Sequence, residues 1–393
     1  MADGFIRKKI ELIDYMNFRD LDNLLVYEFL KNFGISLIGV FIPIYILSQG
    51  KGILPASLFI IISGVAGVIL SYPISRVISK IGFKHSLIAS YFFLIPGIMV
   101  IRMFELSVLT ISVSSVLYNI GRLTHNIGLN SEFAVDSSKE KRAEDSGKML
   151  SLPSISRVIA PLAGGVIFAG FGFTNLMFIT VFILLLSVLP LIFSSEHRDP
   201  MNYNMKQLLQ DEFLKTIPLF IIRGIQAVGA VAVFGMFIYL IVGGSVDVGS
   251  ARALDSLGFV ITGLLVGRYA TKIRKDLFVT IGCIGAGSAF FLRGFIATPI
   301  QAFLLSFISG IFFQIYHIPI YSSFADEAED TEILEFYTLR KIFVSVGNIL
   351  VIGTLAVFYT FYDLKTGFHA AFTLGGLSTF MMAAIYWKNR NLN

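Results

Sequence analysis

Between residues 118 and 126 the chain reads Tyr-Asn-Ile-Gly-Arg-Leu-Thr-His-Asn inside an otherwise apolar stretch. Tyr118, Arg122 and His125 fall at i, i+4 and i+7, one face of a helix, with Asn119 and Asn126 beside it. A guanidinium in that position presents a planar fork of donors suited to a carboxylate or a phosphate. An imidazole one turn away can take up and release a proton near neutral pH. A related group recurs at Gln314, His317 and Tyr321, which share a face, with Tyr316 corresponding to His125 in an internal repeat. Two readings stand for these side chains: a ligand site, or hydrogen bonds between helices.

Lys31, Arg157 and Arg223 also stand in apolar surroundings, with Gln226 one turn beyond Arg223. A charge at the centre of a membrane-spanning helix costs about 2.5–3.5 kcal/mol on insertion scales, so such residues are functional candidates. Lys31, Arg122 and Arg223 either face a ligand or bury their stems and snorkel to a membrane surface. Lys31 also has Glu28 at i−3 as a partner. The carboxylates Glu28, Glu132 and Asp255 are expected near span ends, leaving none mid-membrane to neutralise the arginines. Arg122 and Arg157 are expected on neighbouring helices, where two guanidinium groups in low dielectric repel and a bound anion would relieve them. The alternative is that they face apart, each bonded to carbonyls. His125 and His317 are the candidates for coupling to protons.

Other chemistries lack their residues. There is no G-x-x-x-x-G-K-[ST] string for a nucleotide, no H-E-x-x-H or C-x-x-C pattern for a metal, and Cys283 is the only cysteine. Gly282-x-x-Gly285-x-Gly287 lies inside an apolar run and reads as helix packing. Clustered carboxylates or a His/Asp pair at one membrane face, which a membrane enzyme would need, are missing. No enzyme activity, cofactor or metal is expected.

The elements that position these residues follow from composition. The 393 residues are 55% hydrophobic and 15% charged, with a mean hydropathy of +0.78, whereas soluble domains carry about 25% charged residues. This excludes a disordered chain, a nucleic-acid-binding domain and an ordinary cytosolic enzyme. Twelve apolar runs have the length of a spanning helix: 24–47, 55–75, 86–103, 107–128, 150–170, 173–193, 217–242, 253–267, 277–297, 299–322, 336–358 and 366–387. Lys and Arg concentrate in alternate connections starting from the N-terminal segment, which places both termini in the cytoplasm. The N-terminal segment shows no cleavable signal peptide; Ile6, Ile10 and Ile13 suit a short surface helix or a solvated tail.

The chain repeats itself. Arg76-Val-Ile-Ser-Lys80-Ile81 recurs as Arg268-Tyr-Ala-Thr-Lys272-Ile273, Ile101-Arg102-Met-Phe104 as Leu292-Arg293-Gly-Phe295, Ser131-Glu-Phe133-Ala134 as Ser322-Ser-Phe324-Ala325, and Lys31 as Arg223. The expected organisation is a cytoplasmic segment 1–22, a six-helix bundle 23–194, a linker 195–216, a second six-helix bundle 217–388 and a tail 389–393. Met205, Leu208, Leu209 and Phe213 give the linker the spacing of an amphipathic helix. Parallel repeats of this kind place a substrate site near the midplane between the halves. Gly263/Gly267, Ala160/Gly164 and Ser63/Gly67 have the small-residue spacing of close helix contacts.

With these residues the chain resembles the major facilitator superfamily along nearly its whole length. The loop Ser75-Arg76-Val-Ile-Ser79-Lys80-Ile-Gly82-Phe-Lys84-His85 is similar to that family's G-x-x-x-D-[RK]-x-G-x-[RK]-[RK] string, as is Gly267-Arg268-Tyr-Ala-Thr271-Lys272-Ile-Arg274-Lys275. Both copies depart from it by lacking the aspartate. Ala160-Pro161-Leu-Ala-Gly164-Gly165 resembles its G-P-x-x-G-G string, and Arg122 the arginine of its R-x-x-Q-G string. The resemblance implies an all-α polytopic membrane protein of twelve transmembrane helices in two pseudo-symmetric six-helix bundles. It further implies a cavity lined by the first, fourth, seventh and tenth spans, and a cytoplasmic gate at Arg76, Lys80, Gly82, Lys84, Gly267, Arg268 and Lys272. Likeness to organic-phosphate exchangers would make Lys31 and Arg223 an anion clamp.

The resulting expectation is a secondary transporter, antiporter or symporter, of the inner or plasma membrane. It works by alternating access on a small organic or phosphorylated anion, as a monomer, with protons or a counter-transported solute as the coupled species and no nucleic-acid partner. An exporter of hydrophobic compounds is the alternative, and a membrane enzyme or a sensor a more distant one. The acidic run 326–335 is expected to be a solvated cytoplasmic loop in contact with the basic loops in one gate state.

Overall fold

The computed structural model describes residues 20–136, 142–192, 196, 211–269, 275–329 and 333–390, and among these no strand occurs. The helices are α1 (Asp20–Ile38), α2 (Phe41–Ser48), α3 (Ile53–Ile81), α4 (Phe83–Met103), α5 (Val108–Asp136), α6 (Arg142–Ser187) and α7 (Leu189–Ile192). They continue with α8 (Asp211–Val228), α9 (Phe234–Phe237), α10 (Ser245–Tyr269), α11 (Lys275–Arg293), α12 (Pro299–Glu329), α13 (Ile333–Phe361) and α14 (Leu364–Arg390). Two π-helical turns, Gly229–Val233 and Ile238–Val242, flank α9. The surface helices expected at 1–22 and within the linker lie outside the described residues.

Nine helical stretches among the described residues are long and apolar enough to cross a membrane. One of them, Ser154–Ile192, runs 39 residues, about 58 Å at 1.5 Å per residue, and is broken where Gly172 takes φ 77°. Helices α5 and α10 have 29 and 25 residues but carry Arg122 and Glu132, or Asp247, Arg252 and Asp255, in their sequence.

The distribution of side chains is inverted relative to a soluble protein. Phe92, Phe182 and Ile300 are exposed, whereas Glu28, Lys31, His125, Gln226 and Arg293 are buried. Apolar surface this extensive needs a lipid or protein cover. The chain therefore has the architecture of a multi-pass helical membrane protein.

Packing repeats along the chain. Helix α1 packs on α6 as α8 packs on α13; α3 on α5 as α10 on α12; and α4 on α5 as α11 on α12. Across these groups α6 packs on α10 and α3 on α13. Small residues permit the closest approaches: a Cβ at Gly164 would run into the Leu37 carbonyl, and one at Gly67 into Ser345. Of the expected small-residue pairs, Gly263 meets Gln314.

Two boundaries differ from expectation in ways that matter. The first span breaks after Ile38, resuming as α2 at Phe41, and Gly39 and Val40 form the bend. Helix α10 starts at Ser245 rather than 253, because the Asp247 carboxylate accepts the Gly244 N–H at 2.8 Å and caps its first turn. That extension places Arg252 inside a helix instead of in a loop.

The two ends of the bundle are built differently. One large apolar cluster joins Leu37, Phe41 and Tyr45 to Val233, Phe237, Val248, Leu355 and Phe368, at the end where α1 gives way to α2. At the opposite end, where α3 finishes at Ile81, the clusters are separate. One, around Phe220, Phe324 and Phe336, belongs to the second half of the chain. The other joins Ile78, Phe83 and Ile127 to Leu334 alone. There the Ser75 and Thr338 hydroxyls also meet, at 2.6 Å.

Candidate functional site

A cavity of about 350 Å³ opens between α1, α5, α6, α10 and the first π-helical turn. Lys31, Arg122, Arg157 and Arg252 line it, with Glu28 as the one carboxylate of the lining. Tyr118, His125 and Asn126 complete its α5 wall. Arg122 stands mid-helix and is nevertheless exposed, so the chamber admits solvent; its guanidinium lies over the Tyr118 ring, 5.7 Å from the centroid.

The local helix explains the inner wall. Glu28, Lys31 and Asn32 sit at i, i+3 and i+4 on α1 and so share a face. Lys31 Nζ contacts Glu28 Oε1 at 3.7 Å, Asn32 Nδ2 donates to the Glu28 carboxylate and to its carbonyl, and His125 Nε2 lies 3.2 Å from Glu28 Oε2. Lys31 Nζ also meets His125 Nε2 at 2.5 Å, and the Tyr27 hydroxyl meets His125 Nδ1 at 2.7 Å. Glu28, within two turns of the start of its apolar stretch as expected, also lines the chamber, where its i+3 lysine and the histidine of α5 compensate its burial.

A second cavity of about 250 Å³ adjoins the first through Asn126. Arg223, Arg340, Lys341, Tyr321, Tyr337 and Asn130 line it. Arg340 lies within 6 Å of the centroids of Tyr321, Phe324 and Tyr337, close enough for attraction to the ring faces.

The halves carry matching cation–imidazole pairs. Arg223 Nη2 stands 3.3 Å from His317 Nε2, and the two residues are separated by 94 positions, as are Lys31 and His125. The counterpart of His125 is thus His317, not Tyr316. Arg223 also covers Phe313 at 4.6 Å, and Phe313 stacks on His317. The backbone interruptions match as well: Gly39 and Val231, both lining the first cavity, fall at the bend after α1 and in the π-turn after α8. Such breaks are frequent at binding sites in membrane bundles.

No protein-family model and no curated protein matches this chain.

Geometry alone therefore sorts the remaining candidates. Lys31 and Arg223 line different cavities. Gln226 and Tyr316 bond to each other at 2.9 Å, with Gln226 donating to Thr379 at 3.0 Å, and neither lines either cavity. Asn119 is buried at the seam where α3 meets α13, its amide beside Gly67. Gln314 is buried against Gly263. His317 and Tyr321 do come together, their rings 5.7 Å apart.

At the expected gate, Gly82 takes φ 96° and joins α3 to α4. Arg76 lies over Tyr72 at 5.0 Å, and Lys80 is exposed. Lys84 donates to the Ile192 carbonyl at 3.3 Å. The Glu196 carboxylate accepts the His85 N–H at 3.1 Å and pairs with its ring, so a carboxylate absent from the loop itself reaches it from beyond α7. Gly267 lies in the last turns of α10; Lys272 and the side chain of Arg268 lie outside the described part of the chain. Most of the acidic run does too, but Glu335 is buried in α13 instead of standing in a solvated loop.

Sequence reasoning missed Glu28, Asn32, Arg252, Arg340 and Lys341 as lining residues. Arg252 falls just outside the expected span 253–267, and Arg340 and Lys341 fall at the start of the expected span 336–358, where they count with the cytoplasmic charges. The available signal was periodicity: Tyr337, Arg340, Lys341 and Val344 recur on one helical face.

Proposed function

We propose that the chain is a secondary transporter, built like the major facilitator superfamily, which moves a small organic or phosphorylated anion by alternating access. One observation carries the reading: a solvated chamber between helices is walled by four cationic side chains. Of these, Lys31 is offset by Glu28 and Arg252 by Asp255 at 2.7 Å, while Arg122 and Arg157 face the chamber without a carboxylate on them among the described residues. In a medium of low dielectric that excess is relieved by an anion entering between Arg122 and Arg157, with Arg252 beside them. Guanidinium forks suit carboxylate and phosphate oxygens.

The fold reading that accompanies it counts twelve crossings. The nine apolar stretches become ten when the one bent at Gly172 is taken as two, and α5 and α10 make twelve, their lower hydropathy reflecting the side chains they turn to the chamber. The duplicated packing order and the paired Lys31–His125 and Arg223–His317 contacts support two six-helix bundles, 23–194 and 217–388. The bias of Lys and Arg supports cytoplasmic termini, in an inner or plasma membrane. On that orientation the joint apolar cluster closes the outer side, and the cavities lead inward. Proton coupling, if the anion is driven by it, centres on His125 with Glu28, and on His317.

Transport by purified protein in proteoliposomes tests the reading. Arg157→Gln and Arg252→Gln each lower anion kcat/KM about tenfold or more, the weight of a charge-assisted contact. Transport of a lipophilic cation that ignores both substitutions would overturn the anion assignment in favour of hydrophobic-compound export.

A further inference from the structure

Glu28 has no equivalent in the second half. The pairs Lys31–His125 and Arg223–His317 share one separation, and in that register the position of Glu28 is taken by Phe220. Phe220 packs between Phe324 and Phe336, with ring centroids at 4.9 and 5.8 Å. Arg223, Arg340 and Lys341 therefore face a cavity whose lining, among the described residues, holds no carboxylate. The first cavity relieves part of its charge internally, through Glu28 and through the Asp255 partner of Arg252; among the described residues the second offers aromatic faces and amides.

We infer that the second cavity is a separate anion site, taking a small oxyanion between Arg223, Arg340 and Lys341, so that two anions are held in series through the Asn126 junction. The inference rests on the anion reading of the first cavity and assigns the second to a different occupant. Its chemistry is that of an oxyanion because the three donors are two forks and one ammonium. Asn126 and Asn130, on one face of α5, add amide donors, and Tyr321 and Tyr337 add hydroxyls. The site lies toward the Ile81 end of the bundle, where the described residues of the two halves meet through Ile78, Phe83, Ile127 and Leu334 and the Ser75–Thr338 hydroxyl pair. An anion arriving from that end meets this site first. Its exit into the first cavity passes Lys341 and Arg122, whose mutual repulsion falls once an anion stands between them.

Equilibrium binding of radiolabelled inorganic phosphate to the full chain in detergent tests this. Wild type is expected to bind two phosphates per chain. Arg340→Gln with Lys341→Gln removes one of them, weakening it about tenfold or more, and leaves the other unchanged. Arg157→Gln with Arg252→Gln does the reverse. Lys341→Gln alone, a milder change, weakens the same site as the double variant if that protein folds poorly. A single phosphate lost with Arg157→Gln/Arg252→Gln and indifferent to Arg340→Gln/Lys341→Gln overturns this inference and leaves the first reading standing. One phosphate lost equally with either pair shows a single bridging site and overturns it as well. No phosphate binding in wild type overturns this inference and leaves the first cavity to an organic anion, which the transport assay tests separately.

Discussion

Glu28 holds Lys31 and His125 in one buried group, and its removal acts in two directions. Glu28→Gln leaves Lys31 without its counter-charge, and breaking a buried pair costs about 3–5 kcal/mol in other proteins; thermal unfolding is expected several degrees lower. The same change raises the positive potential of the first cavity, and two unit charges at 4 Å interact by about 4 kcal/mol at an effective dielectric of 20. Anion affinity in binding assays is therefore expected to rise about fivefold or more while stability falls. Arg293 presents the opposite case. It is 1% exposed, donates to Ser309 at 3.0 Å and lies between the Phe234 and Phe290 rings at 4.5 and 4.4 Å, while Nε and Nη1 have no bonding partner. The two ring contacts contribute about 0.5–2 kcal/mol each, against a desolvation cost of several kcal/mol for the charge. Arg293→Met is expected to leave the melting temperature unchanged or raise it, and a clear fall would show that the ring contacts outweigh desolvation.

Helix ends and breaks decide what each helix can present. Asp363 caps α14 by accepting the Thr366 N–H at 2.8 Å, and this bond holds its carboxyl below the ordinary carboxylate range. The folded form is thus favoured above the unfolded pKa, and the benefit is lost as pH falls through the depressed one. Asp363→Ala is expected to speed amide exchange in the first turn of α14 at neutral pH and to change nothing in strong acid. A similar reciprocal cap joins Thr298 to Gln301 ahead of α12. The long apolar helices were legible in sequence. The bend at Gly39 and the π-turn at Gly229–Val233 were not, because each lies in a run whose composition permits unbroken helix. The start of α10 was misjudged for the converse reason: its polar residues face the chamber, and sequence alone reads polar residues at a span end as loop. Lys31, Arg122, Arg157 and His125 were recognisable as polar groups in apolar runs. The lining roles of Glu28 and Arg252 became visible only when α1 and α10 were packed on α5 and α6.

Across the whole molecule, the asymmetry between its ends bears on how it works. A joint apolar cluster closes the end near Ser48, while at the Ile81 end the halves touch through Ile78, Phe83, Ile127, Leu334 and the Ser75–Thr338 hydroxyl pair. Opening the Ser48 end means exposing that large cluster to water unless the Ile81 end closes and repays part of the area elsewhere. Joining Ser75 to Thr338 as a cysteine pair is expected to stop anion exchange in proteoliposomes, with reductant restoring it. Undiminished exchange in the cross-linked protein would show that these positions do not separate during turnover.

The lone thiol of the native chain, Cys283, is fully buried between helices of the second half. Polar maleimides should therefore pass over the unaltered protein, giving a silent background without the usual prior removal of native cysteines. A thiol installed at Asn130 should label quickly and one at Val40 slowly, and anion addition should redistribute those rates. Site-specific fluorophores or spin probes then become a direct route to watching the halves rock against each other.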